Sequence, residues 1–147
     1  MTEFPKIAII GLGYVGLPLA LEFAKKYPVI GFDLDEQRVI ELKNGLDHTQ
    51  EADLELLNTV CSYKNQSFGL TFSSTLSDIS RSNIYIVTVP TPINQLKQPN
   101  LEPLLSASKM LGTVLKKDDI VIYESTVYPG CTEEDCVYTG KNIRIKI

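Results

Sequence analysis

Residues 6–24 pass from an apolar run through a glycine-punctuated turn into a helical pattern, and few folds accommodate that succession. Ile7-Ala8-Ile9-Ile10, entered from Lys6, is apolar at every position, as a strand buried on both faces must be. It ends at Gly11-Leu12-Gly13-Tyr14-Val15-Gly16. From Val15 onward the apolar residues Leu17, Leu19, Ala20, Leu21, Phe23 and Ala24 form a broad helical face. Pro18 falls in the first turn, where a backbone N–H has no helical acceptor anyway. Lys25 and Lys26 suit the carboxyl end of the helix dipole, and Pro28 is expected to stop the helix. A strand delivered straight into a helix is the first part of a βαβ unit.

The alternation continues. Val29-Ile30-Gly31-Phe32-Asp33 reads as a second buried strand, and residues 36–43 as a helix capped by Asp35 and closed by Asn44-Gly45. Residues 45–52 read as a polar loop and 53–63 as an amphipathic helix. Strands are expected at 70–73, 84–89 and 119–125, one or two helical turns at 75–80, and a helix at 102–115. Pro90, Pro92 and Pro99 confine the intervening segment to a loop. The expected fold is therefore α/β: a Rossmann-type doubly wound parallel sheet of about five strands, with helices on both faces and without the usual final strand.

Composition narrows the function. A net charge of -4 argues against a nucleic-acid or anionic-membrane surface, both of which need a basic face. The apolar stretch from Ile7 to Ala20 is interrupted by Gly11, Gly13, Gly16 and Pro18, and falls short of the ~20 residues of a membrane span. Cys61, Cys131 and Cys136 lack CxxC spacing and read as free thiols of a reducing cytoplasm. His48 is the only histidine, so no His-based metal site or Ser-His-Asp triad is expected; it reads as a surface loop residue.

The glycine turn stands directly after a buried strand and opens a helix, which is the context of a dinucleotide-binding loop. Gly11 permits the tight turn, Gly13 lets a pyrophosphate approach the backbone, and Gly16 lets the helix pack close to the strand. Leu12, Tyr14 and Val15 complete the binding loop. Asp33 ends the second strand where a carboxylate accepts hydrogen bonds from the adenosine ribose and repels a 2′-phosphate, so NAD is expected over NADP. Arg38, also counted with the cofactor-binding residues, lies nearby and could serve a 2′-phosphate, but it sits inside a helix and Asp33 already fills the site, so it is expected to pack along the adenine or to face solvent. Thr91, stiffened between Pro90 and Pro92, follows the fourth strand at the carboxyl edge, where open α/β sheets bind ligands. Glu124-Ser125-Thr126 leaves the fifth strand at the same edge.

Together Ile10-Gly11-Leu12-Gly13-Tyr14-Val15-Gly16-Leu17-Pro18, Gly31-Phe32-Asp33, Val89-Pro90-Thr91-Pro92 and Glu124-Ser125-Thr126-Val127-Tyr128-Pro129-Gly130 resemble the UDP-glucose/GDP-mannose dehydrogenase family, in its N-terminal NAD-binding domain. Asn44-Gly45-Leu46-Asp47-His48-Thr49-Gln50-Glu51 resembles the branch acting on UDP-N-acetylhexosamines of the galactosamine, glucosamine or mannosamine type. The resemblance implies oxidation of a sugar C6 alcohol to a carboxylate in two NAD-dependent steps, through a thiohemiacetal and a thioester on a cysteine, for surface polysaccharide synthesis. It implies that Gly11, Gly13 and Gly16 hold the pyrophosphate, Asp33 the ribose, and Thr91 the neighbourhood of the cofactor. Thr126 would position a water or hydroxyl at the reacting carbon.

The likeness covers residues 6–137, read as an NAD-binding domain over 1–137 followed by an unrelated short tail, 138–147. The family's nucleophilic cysteine, catalytic lysine and asparagine, dimer-forming helix and sugar-nucleotide domain belong to segments absent from these residues. Neither Cys131 nor Cys136 matches the nucleophile's context. A shifted frame or early stop in a longer gene is the expected origin of the tail, whose Ile143-Arg144-Ile145-Lys146-Ile147 alternates like a short strand. Three readings follow: the cofactor part of a UDP-sugar 6-dehydrogenase, with the sugar bound only if the other half is supplied; a remnant or split half that binds NAD without turnover; and a hydroxyacyl-CoA or phosphogluconate type of dehydrogenase. The VPTP and ESTV-PG segments speak against the third.

Overall fold

The computed structural model describes residues 4–63, 67–125 and Cys131. The expectations for Thr126, the rest of the 126–130 segment, the acidic turn at 132–135, Cys136 and the 138–147 tail lie outside those residues. Among the described residues, five strands, β1 (Ile7–Ile10), β2 (Pro28–Phe32), β3 (Gly69–Ser73), β4 (Ile84–Val87) and β5 (Ile120–Tyr123), pair in parallel in the order β3-β2-β1-β4-β5. Between them run α1 (Gly16–Ala24), α2 (Glu36–Lys43), α3 (Leu54–Cys61) and α4 (Glu102–Gly112), with a 3-10 turn at Leu76–Ile79. The strand order reverses at β1, so the chain leaves β1 and β4 in opposite directions and opens a crevice at their carboxyl ends.

Period-two alternation distributes the core to both faces of the sheet. Ile7, Ile9, Val29 and Ile86 pack with Leu17, Ala20 and Leu21 of α1, Val39 and Leu42 of α2, and Leu57 and Val60 of α3. Ala8, Ile10, Phe32, Tyr85 and Val87 face the other way, against Leu104, Ala107 and Leu111 of α4 and Ile79. Gly31 leaves room where a side chain would meet Leu12 and Phe72.

Several boundaries differ from the sequence expectation, each for a reason of packing. Pro28 opens β2 instead of merely ending α1, because the first residue of a strand tolerates a missing donor. The fourth and fifth strands are shorter than expected. β1 pairing ends at Ile10, opposite Val87, and Val87 in turn ends opposite Tyr123, so strand pairing stops where Gly11 turns away. α4 ends at Gly112, with Thr113 as its cap, three residues before Leu115. The proline loop folds back on itself through an antiparallel bridge between Ile93 and Pro99, and the Asn94 side chain accepts from the Leu96 and Gln98 N–H groups.

A nucleotide cleft at the strand-order reversal

Gly11 leaves β1 with φ +99°, a conformation that glycine adopts without strain, and its N–H donates to the Phe32 carbonyl at 2.8 Å. A Cβ at Gly16 would overlap the Gly11 carbonyl oxygen, so α1 reaches its close seat on β1 only with glycine there. A Cβ at Gly13 would meet nothing within 4 Å. The loop thus presents an open, side-chain-free face at Gly13 and a closed one at Gly16. Tyr14 and Val15 stand exposed on the rim.

The loop is clamped at Leu12 from two directions. The Asp33 carboxylate accepts from the Leu12 N–H at 2.9 Å with one oxygen and from the Asp35 N–H at 2.9 Å with the other. Arg38 donates from Nε to the Leu12 carbonyl at 2.8 Å. The Leu12 side chain is fully buried, so its part in the loop is to anchor it. Arg38 is 5% exposed, which removes the solvent placement considered from the sequence. The polypeptide that buries it is the 45–52 loop, where Asp47 meets Nη1 at 2.8 Å, helped by Glu41 at 3.3 Å.

Burial by itself would raise the Asp47 carboxyl. Hydrogen bonds from the Thr49 hydroxyl, the Ala52 N–H, Arg38 and the Thr49 N–H outweigh it and hold the carboxyl down at about 2. His48 is exposed, as the sequence implied, yet engaged: Nδ1 lies 2.6 Å from Glu41 Oε2, and its backbone N–H donates to the other Glu41 oxygen. The His48 side-chain hydrogen bond is the main reason the Glu41 carboxyl sits below its ordinary value. Burial pushes the Cys61 thiol up to about 11.

Two depressions meet over the loop and share Gly11, Asp33, Val89 and Pro90. One, of about 400 Å³, is walled by apolar groups including Phe32, Leu34, Pro103 and Met110. The other, of about 580 Å³, brings together Gly13, Tyr14, Arg38, Thr91, Glu124 and Ser125. Sequence reasoning missed Thr88, whose buried hydroxyl bonds to the Gly11 carbonyl at 2.7 Å and supports the turn from β4. A threonine near the end of the largely apolar Ile84–Val89 run was its only signal. Ser125 donates to the Val89 carbonyl at 2.7 Å and ties the exit of β5 to that of β4.

These features suit a pyridine dinucleotide. The N-terminus of α1 has no side-chain cap and no acidic residue in its first turn. Pro18 has no N–H, and the Leu17 and Leu19 N–H groups bond back to the Gly13 and Val15 carbonyls, so it is the glycine loop leading into the helix that is left open to an anion. In contrast, α2 and α3 are capped by Asp35 and Asp53. An apolar slot beside Asp33 fits a base next to a ribose. The fold and cleft define a dinucleotide-binding domain of the Rossmann class.

The chain belongs to the UDP-glucose/GDP-mannose dehydrogenase family, whose NAD binding domain matches residues 5–145. It is 55% identical over 132 residues to a UDP-N-acetyl-D-glucosamine 6-dehydrogenase of Pseudomonas aeruginosa, covering 90% of this chain and 30% of that protein. A protein of the same description from Salmonella typhi is 57% identical over 132 residues, covering 90% of this chain and 29% of its own length. The solved structure of a UDP-D-ManNAc dehydrogenase from Pyrococcus horikoshii superposes with a TM-score of 0.84 at 30% identity, covering 95% of this chain and 33% of that one. The chain therefore spans about 30% of the length of the curated relatives it matches. NAD is the cofactor of this domain. Among the described residues, no helix is long and apolar enough to cross a membrane.

Proposed function

We propose that this chain is the cofactor-binding part of a nucleotide-sugar 6-dehydrogenase that oxidises the C6 alcohol of a UDP-N-acetylhexosamine to the uronate, in the synthesis of surface polysaccharide. The observation that carries the reading is the 55% identity with a UDP-N-acetyl-D-glucosamine 6-dehydrogenase across 90% of the chain. Bound NAD supplies a hydride acceptor. The chain's own residues bind and orient: Gly11, Gly13 and Gly16 shape the loop, and the loop leading into α1, with Tyr14 and Val15, meets the pyrophosphate. Asp33 accepts from the adenosine ribose and disfavours a 2′-phosphate, while Leu12, held between Asp33 and Arg38, keeps the loop in register. Thr91 lines the same cleft at its β4 side. Thr126 is assigned from the Glu124-Ser125-Thr126-Val127 resemblance alone, as the residue that positions a water or hydroxyl at the reacting carbon.

These 147 residues bind NAD and by themselves turn over no UDP-sugar, because holding a sugar carbon against the nicotinamide takes a substrate pocket that the described residues do not build. Calorimetric titration of the chain with NAD and NADP, together with absorbance at 340 nm in the presence of UDP-N-acetylglucosamine, tests both statements. Saturable NAD binding, weaker NADP binding and no NADH are expected, with NAD binding lost in Asp33→Ala. Steady NADH production would overturn the second statement, and a folded chain that ignores NAD would overturn the first.

A further inference from the structure

The apolar depression that suits the base carries few polar side chains. Among the described residues they belong to Asp33, Asn100, Glu102 and Ser106, with no lysine or arginine beside them. Asp33 stands at the ribose end, its oxygens accepting from the Leu12 and Asp35 N–H groups. The Asn100 side-chain oxygen is spent on the Glu102 N–H at 3.0 Å. Glu102 and Ser106 remain, exposed on α4, and neither side chain forms a hydrogen bond or ion pair among the described residues. They lie one helical turn apart. Glu102, Ser106 and Met110 recur at every fourth position and therefore share one face of α4, the face that lines the depression. Phe32 and Leu34 line it from the end of β2. A planar base in that space has apolar groups against its rings and the Glu102–Ser106 pair along one edge.

The two members of that pair are chemically unequal. An ionised carboxylate only accepts hydrogen bonds, whereas a hydroxyl donates or accepts. Adenine offers its N6 amine, a donor, beside N7, an acceptor. The amine suits the carboxylate, and N7 suits the hydroxyl. A base with a carbonyl oxygen at position 6 sets acceptor against acceptor, and no cation lines the depression to offset the repulsion. We propose that Glu102 is a specificity-determining residue, whose carboxylate accepts from the adenine N6 amine and disfavours dinucleotides that carry a 6-oxopurine. Ser106 donates to N7, which both kinds of base possess, and so adds affinity without discriminating between them. The base is thereby read from α4, an element apart from the glycine loop and the ribose carboxylate. The inference rests on the cofactor site described above.

Calorimetry on the full chain tests it with two ligands, NAD and nicotinamide hypoxanthine dinucleotide, which differs from NAD in having a carbonyl oxygen where adenine has its amine. The wild type is expected to bind NAD about tenfold more tightly than the analogue. In Glu102→Gln, whose amide both donates and accepts, that ratio should fall to about twofold or less. Ser106→Ala should weaken both ligands about threefold and keep the wild-type ratio. A purely structural role for Glu102 at the start of α4 would weaken both ligands together. An unchanged ratio in folded Glu102→Gln, or a wild type that binds the two ligands equally, overturns the proposal while the cofactor site stands. Should Glu102→Gln show no thermal transition, the ratio in Glu102→Ala decides, and a wild-type value there overturns the proposal. Failure of the wild-type chain to bind NAD would overturn the site itself and this inference with it.

Discussion

A methyl group added at Gly16 meets occupied space, and one added at Gly13 meets none. The two glycines of one motif therefore fail in different ways. Gly16→Ala pushes α1 away from the Gly11 carbonyl and from Thr88, and is expected to destabilise the chain by about 1–3 kcal/mol or more, read as a lowered thermal midpoint. Gly13→Ala should leave the midpoint within about 1 °C of wild type, as a substitution that touches nothing does. It should still weaken NAD binding by roughly tenfold or more, because the methyl occupies the face a pyrophosphate must approach. Wild-type NAD affinity in Gly13→Ala would take Gly13 out of the site. These roles were readable from spacing because the motif is local: strand, turn and helix follow one another in the chain. Thr88 and Asp47 were not. Thr88 meets its partner Gly11 across 77 positions, a separation that no local pattern spans.

At the scale of elements, the helices and strands were legible from periodicity, and their ends less so. Strand length here is set by neighbours: β4 and β5 stop where β1 stops, information that an apolar run such as Ile84–Val89 does not contain. The 45–52 loop shows the same limit. Its polar composition marked it as a connection, whereas in the fold it is a turn wrapped around the Asp47 carboxylate and braced against α2. That brace makes stability depend on acid. The folded-state pKa of Asp47, about 2, lies below its ordinary 3.8, so the folded chain resists its protonation. Its contribution is complete above the unfolded value and is lost as pH falls through the folded one. Thermal midpoints should therefore drop between pH 4 and pH 2, and Asp47→Asn should flatten that decline. An equal decline in the variant would show that the acid sensitivity lies in other carboxylates.

Over the whole molecule, the cofactor site and the stability of the sheet are one problem. β1 sits at the centre of the strand order and pairs with both β2 and β4; Gly11 leaves β1, Asp33 follows β2 and Thr88 follows β4. Both apolar layers close on β1, through Ile7 and Ile9 on one face and Ala8 and Ile10 on the other. A ligand seated across those strand ends touches groups that separate only when the central strands separate, so its binding energy should appear as stability of the entire chain. With NAD at a hundred times its dissociation constant the linkage amounts to about 2.7 kcal/mol. For a domain of this size that corresponds to a rise of about 5–10 °C in thermal midpoint. NADP at the same concentration should give a smaller rise, and Gly13→Ala should melt like wild type without ligand while gaining about half as much from NAD, or less. A midpoint indifferent to saturating NAD, in a chain that calorimetry shows to bind it, would mean that the ligand rests on a part of the surface able to open independently of β1.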